Sequence, residues 1–318
     1  MKVVVIGGGT GLSTMLKGLK EFTSHITAIV TVSDNGGNSG LLRSELNIIP
    51  PGDIRNCLVS LANTEPIMKD LLQYRFKDGS LKGQNFGNLL LAALTDLNDG
   101  NFNNAIQITS KVLAITGKVL PVTLDKVNLH ATFSDNHEVI GETEIVEYGK
   151  QTQSLIKKIV LKPEDVKPTP DVLNAIENAD LIILGPGSLY TSIISNLLVK
   201  NLSNAVATSL AKKVYIANLM SQPGETTGLT IESHVKELEK YIGAQVIDAV
   251  IISSTKIKKK YIKKYAEEGA HLLRYNKRDK LWKRVTMIEA DITRVNETEG
   301  YIRHNSVELA QCIFQYGG

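Results

Sequence analysis

The sequence predicts a doubly wound α/β fold with a mainly parallel sheet, helices on both of its faces and a small antiparallel β insertion. Three observations carry that reading. Apolar, β-branched runs recur without the polar alternation of half-exposed strands, the pattern of strands buried on both faces. Helical spacing fills the intervals between them. Glycine-rich turns stand at two strand-to-helix junctions, "GGGTG" at 7–11 and "GPGS" at 185–188.

The 318 residues, 42% hydrophobic and 22% charged, suit a globular chain with a sizeable core. Residues 1–318 read as one α/β domain, with a β-hairpin insertion at 125–150. No apolar run approaches the roughly 18 residues of a membrane helix, so no span is expected. Only about five apolar residues precede the first glycines, too few for a signal peptide, and a cytoplasmic location is expected. Cys57 and Cys312 are the only two cysteines and read as free thiols. A net charge of +3 is too small an excess to indicate a nucleic-acid partner.

The first strand is "VVVI", Val3 to Ile6, and its turn holds Gly7, Gly8, Gly9, Thr10 and Gly11 before the helical pattern "LSTMLKGLKEF". Glycine lets backbone amides curve inward, and a helix start aims unpaired N–H groups and a positive dipole end at the same place, so a phosphate is the natural guest. The alternative is a tight turn without a ligand. Leu12 stands where the last glycine of a dinucleotide fingerprint belongs, which weakens the case for NAD.

A second strand, "ITAIVTV" at Ile26 to Val32, ends in "SDNGGNSGLLRSE". Asp34 lies about 25 residues after the first loop, where doubly wound folds place an acid against a ribose hydroxyl. Asn35 belongs to the same flexible loop, and Arg43 is either a bidentate clamp for phosphate or carboxylate or a surface ion-pair partner. In "PPGDIRNCL", Asp53 is a helix N-cap, an orienting partner for Arg55, or an oxygen ligand for magnesium beside phosphates. Cys57 reads as a buried small residue, with no nearby histidine to activate it. Asn85 and Asn88, at the start of "NLLLAALTDL", suit a nucleobase edge or sugar hydroxyls, or else cap the helix.

The segment Val127 to Glu147 alternates polar and apolar residues, with turn residues at 134–136, and reads as a β-hairpin; a proline-rich stretch leads back to the main sheet. "LIIL" at 181–184 then repeats the opening: Gly185, Gly187 and Ser188 form the turn before "TSIISNLL". Two such units would place two helix starts on the carboxyl edge of one sheet, where ligands bind at the point of reversed strand order. "KVYIANL" at 213–219 leads into a loop with Asn218, Gln222, Glu225, Thr226 and Thr227, polar groups suited to a sugar. After "IESHVKELEKYI" and the strand "IDAVIIS" at 247–253, the basic stretch Lys256 to Lys264 reads as a solvated helix face, its alternatives being anionic lipid, nucleic acid or an acidic partner. The six histidines show no zinc spacing.

Together, "GGGTGLS", "SDNGGNSGLLR", "PGDIRN", "FGNLLLAAL", "GPGSLYTSIISNLLV" and "NLMSQPGETTG" closely resemble the YvcK-type gluconeogenesis factors, the UPF0052 group within the wider CofD-like family. The resemblance implies a cytoplasmic bacterial protein with a Rossmann-like three-layer fold, needed for growth and cell shape on gluconeogenic carbon sources and binding UDP-sugars. It places nucleotide binding on Gly8, Gly9, Thr10, Asp34, Asn35 and the 185–188 turn. The sequence departs from the family pattern at Leu41, Gln84 and Ser195, where arginine, histidine and proline are usual.

The favoured reading is a ligand-sensing regulator that binds a nucleotide or UDP-sugar across the paired loops. The alternative, drawn from distant relatives, is a magnesium-dependent transferase of phospholactyl type, with Asp53, alone or with Asp34, on the metal and Arg43 and Arg55 neutralising developing charge. An NAD-like dinucleotide is a third occupant of the same edge. A homo-oligomer and regulatory protein partners are compatible with the first reading, and the sequence specifies neither.

Overall fold

The computed structural model describes residues 1–317 of the chain. Its twelve strands are, in order, β1 Val3–Gly7, β2 Ile26–Val30, β3 Lys118–Pro121, β4 Asn128–Phe133, β5 Glu138–Ile140, β6 Ile156–Lys162, β7 Leu181–Leu184, β8 Lys212–Ile216, β9 Ala249–Ser253, β10 Thr286–Ala290, β11 Thr293–Val295 and β12 Ile302–His304. Seven of them form one sheet in the order β10-β9-β8-β7-β1-β2-β3, and every pair in it is parallel. The doubly wound, parallel α/β fold is therefore present.

Chain order explains where a site can form. From β1 the chain winds outward through β2 to β3, then returns to pair β7 with the opposite side of β1, with Ile6 beside Leu184. Between β1 and β7 the winding reverses, so the turns leaving these strands diverge and open a crevice at the carboxyl edge. Both strands are buried along their whole length, which is why their sequences run apolar without alternation. Helices Gly9–Leu19, Gly52–Leu61 and Ser306–Gly317 pack together as one group beside the sheet; Pro170–Glu177, Leu202–Thr208 and Ile231–Ile242 form another. A single hydrophobic cluster joins these elements and the insertion.

Five strands escape the sequence reading, among them β11 and β12, of three residues each. β3 is four residues ending in proline, β10 is a half-exposed edge strand, and β6 alternates lysines with apolar residues. The insertion also differs in detail. Its hairpin, β4 with β5, is antiparallel as expected, but from Glu142 the chain is helical through Thr152, and β6 pairs antiparallel with β4 to make a three-stranded sheet. Gly141, at φ 101°, turns the chain out of the strand. Glu142 and Glu144 then fill the first helical turn, where negative charge is favoured, and Ile145 and Gly149 face inward at helical spacing.

Candidate functional site

The two glycine turns meet. Gly185 N–H donates to Ile6 O at 2.9 Å. A β-carbon built on Gly11 would lie 2.8 Å from Pro186 O, and one on Gly187 would lie 3.1 Å from Gly8 O, so both positions depend on glycine for close backbone approach. Gly9 adopts φ 69°, the left-handed region that glycine tolerates. In the dinucleotide fingerprint the last glycine lets helix and strand close together; here Leu12 is fully buried against Gly7, and the intimate approach has moved to Gly11. A cleft of about 360 Å³ runs from Thr10 and Gly11 past Gly187 to Tyr265, Arg303 and His304.

Each turn's helix start carries a carboxylate from elsewhere in the chain. At the first, Gly9 N–H donates to Asp53 Oδ2 at 2.7 Å. Asp53 is thus not the cap of its own helix, which begins at Gly52 after Pro51; it reaches across 44 positions to the opening loop. Burial pushes its carboxyl up to about 6, with Asp34 adding to the rise and the Gly9 N–H and Arg55 opposing it. At the second turn, Glu225 accepts from Tyr190 N–H at 3.3 Å, Thr191 N–H at 3.4 Å and the Thr191 hydroxyl at 3.1 Å, and Gln222 Nε2 donates to it at 2.7 Å. Glu225 and Thr191 are buried, and burial pushes the Glu225 carboxyl up to about 7 against these donors.

The remaining sequence-selected residues divide by what already engages them. Asn218 grips the Gly187 backbone from both sides, donating to its carbonyl at 2.8 Å and accepting from its N–H at 3.3 Å. Ser188 begins the helical segment Leu189–Ile194. Asn35 accepts from Thr143 N–H at 3.0 Å and donates to Glu144 at 2.7 Å, tying the insertion helix to the rim. Asn85 caps its helix through Asn88 N–H at 3.0 Å, and Asn88 donates to Asn38 at 2.8 Å. Gln222 and Thr226 belong to the Glu225 network; Thr226 is buried there, while Gln222 also lines the cleft. Thr10 is exposed, and Asp34 has one oxygen on Gly36 N–H at 2.8 Å.

Unsatisfied groups mark the surrounding rim. Arg43 donates to Asn128 at 2.7 Å and to Val127 O, while its Nη1 is buried without a partner among the described residues. Arg55 donates to Asn56 and leaves Nε and Nη1 unpartnered; burial, with Arg75 nearby, lowers it to about 10. Asn88 Oδ1 and His304 Nε2 are likewise buried without partners. Sequence reasoning missed Glu142, whose carboxyl is raised well above the usual range by burial and then by Asp34, Glu225 and Asp53. It also missed Arg303 and His304, which no local motif marks. Among the described residues no three His, Cys, Asp or Glu groups converge as a metal cage. Of the three departures from the family pattern, Leu41 is exposed, Gln84 accepts from Asn38, and Ser195 bonds Thr31 at 3.0 Å and Thr191 O at 2.7 Å. Among the described residues no helix is long and apolar enough to cross a membrane.

The profile of the family described as 2-phospho-L-lactate transferase CofD matches residues 3–293. A putative gluconeogenesis factor of Clostridium acetobutylicum is 48% identical over 314 residues, 99% of this chain and 69% of its own length. The gluconeogenesis factor of Bacillus subtilis is 45% identical over 313 residues, 98% of this chain and 96% of its own. A crystal structure of a UPF0052-family protein from Bacillus halodurans superposes with a TM-score of 0.92 at 41% identity, covering 98% of this chain and 99% of that one.

Proposed function

The chain belongs to the CofD family, and on that premise we propose that it is a nucleotide-sugar-binding regulatory factor of the cytoplasm, serving growth on gluconeogenic carbon sources and the upkeep of cell shape. The names of its relatives support the first part of the role. The observation that carries the ligand is the meeting of two glycine turns at the reversal of strand order, beside one cleft that ends at Arg303. In this reading the diphosphate of a UDP-sugar lies over the Gly8 to Gly11 amides and the dipole end of helix Gly9–Leu19, with the Thr10 hydroxyl and the Arg303 guanidinium as further donors. Asp34 takes ribose hydroxyls. Binding shifts a conformational equilibrium that a protein partner reads.

Calorimetric titration with UDP-N-acetylglucosamine and a panel of nucleotides tests it. Thr10→Ala and Asp34→Ala should each weaken binding by about tenfold, the loss of one good polar contact. Unchanged affinity in both variants would move the site elsewhere. One feature favours a second reading, a phosphoryl-group transferase: Arg43 and Arg55 offer unpartnered guanidinium nitrogens beside the Asp34 and Asp53 carboxylates. Turnover of a UDP-sugar with magnesium, followed by phosphorus NMR, would establish that reading over the pure sensor.

A further inference from the structure

Helix Lys259–Glu267 and the residues leading into it carry six lysines, none of which lines the cleft. We propose that this basic face adsorbs the protein, reversibly and without insertion, to the surface of an anionic lipid bilayer.

The lysines are placed against the stability of their own helix. Lys256, Lys258, Lys259, Lys260, Lys263 and Lys264 are all exposed, and among the described residues only Lys258 has an ion-pair partner, Glu297 at 3.6 Å. Lys259 and Lys260 stand in the first helical turn, which holds no acid, while Glu267 stands in the last beside Lys264. For all but Lys264 that order opposes the helix dipole, which favours acids at the start and cations at the end. Lys259 with Lys263, and Lys260 with Lys264, are also like charges one turn apart. At about 100° per residue the four helical lysines cover an arc of about 140°, with Tyr261, Ile262 and Tyr265 on the other side. Tyr261 is buried there and the other two are half-buried. A face that had only to stay solvated could mix the two signs. An external anion gains from the dipole and from every unpaired lysine.

The surrounding region has the same sign. Residues 256–303 hold fourteen lysines and arginines against seven acids, an excess of seven in a chain whose total is +3, so the rest of the chain is net acidic. An anionic plane attracts this side and repels the others, which fixes one orientation. Side-chain chemistry favours a bilayer over other polyanions. A protein interface is poor in lysine and needs apolar or aromatic anchors at its centre; the apolar residues of this helix face inward. Single-stranded nucleic acid needs free rings for stacking; Tyr301, exposed beside the helix, already lies under Lys264 at 4.9 Å and Arg303 at 5.1 Å. Flexible ammonium groups, with no fork geometry to satisfy, suit a fluid layer of headgroups.

The test is sedimentation of the full chain with vesicles of phosphatidylcholine, pure or with about a third phosphatidylglycerol, in the absence of nucleotide. Binding should be at least about tenfold stronger to the anionic vesicles at about 0.1 M salt, and should fall at least about tenfold at about 0.5 M. Lys256→Glu, Lys259→Glu, Lys260→Glu and Lys263→Glu together should weaken it about a hundredfold, with the urea midpoint unchanged or raised because the first helical turn gains acids. Lysine to glutamate at Lys77, Lys82, Lys111 and Lys118, four exposed positions outside the segment, gives the same net charge and should leave binding within about threefold. Lysine to glutamine at the first four positions should weaken binding about tenfold and keeps the test open without charge reversal. Equal affinity for both vesicle types, no binding to the anionic ones, or equal losses in the two glutamate variants overturns the proposal. So does binding of single-stranded RNA or polyglutamate, sensitive to the first variant, without vesicle binding; that result gives the face to nucleic acid or to an acidic protein. Nucleotide takes no part in the assay, so failure here leaves the cleft's assignment untouched.

Discussion

The turns after β1 and β7 share a design and differ in what holds them. Both run from a buried strand through glycines into a helix start, and both present amides to a carboxylate from a remote segment. Glu225 is sealed at 2% exposure among four donors, so its turn is a finished piece of interior. Asp53 is partly buried and takes a single backbone donor beside exposed Thr10. Asp53 thus takes up one amide of the first turn, whereas Glu225 takes up two amides and a hydroxyl of the second. Glycine-rich sequence signals the amides; only the packed chain shows how many of them a remote carboxylate takes up.

Four perturbations test that contrast, the largest first. Glu225→Ala should leave two buried N–H groups and a hydroxyl unpartnered and lower stability by about 3 kcal/mol, read as a shift in the urea midpoint at unchanged slope. A loss no greater than that of an exposed substitution would show the second turn to be as replaceable as the first. Asp53 should make stability depend on pH. Its folded carboxyl titrates near 6, above the ordinary 3.8, so its stabilising contribution is present below about pH 4 and lost as pH rises through 6. Wild type minus D53N should therefore change by on the order of 2 to 3 kcal/mol between about pH 4 and 8, in favour of the variant at the alkaline end. A pH-independent difference would mean that Asp53 is not held as described.

Gly11→Ala puts a methyl against the Pro186 carbonyl and should cost about 1 to 2 kcal/mol in stability, with ligand affinity reduced because the turns are forced apart. Equal affinity would show that the ligand ignores their approach. The smallest effect is expected of Asn218→Ala, about 1 kcal/mol, since Gly187 loses two bonds at a half-exposed turn where water can substitute. Thermal denaturation would resolve it, and a larger loss would make Asn218 a principal tie of the second turn.

Much of this was legible before any coordinates. The apolar runs of β1, β2, β7, β8 and β9 and the glycines between strands and helices point to one sheet edge, and the meeting of the 7–11 and 185–188 turns follows from the same pattern. β3, β6, β10, β11 and β12 escaped because short or edge strands lack the continuous apolar run of buried ones. Val127 to Glu147 misled because polar and apolar alternation over a few residues fits either period, and only Gly141 marks the change from strand to helix. The loops that carry the candidate site residues were named from the sequence, but what engages each side chain was not. Asn35, Asn85 and Asn218 have side chains suited to a nucleotide and are engaged by the protein itself.

Residue order alone determined the parallel sheet, the glycine turns at its carboxyl edge and the family to which the chain belongs, because each is written in patterns a few residues long. Tertiary structure decided that Asp53 closes the loop at Gly9, that Glu225 locks the second turn, and that Arg303 and His304 complete the cleft. Those pairings join residues tens to hundreds of positions apart. Their strength depends on burial and on competing donors, which exist only once the chain has packed.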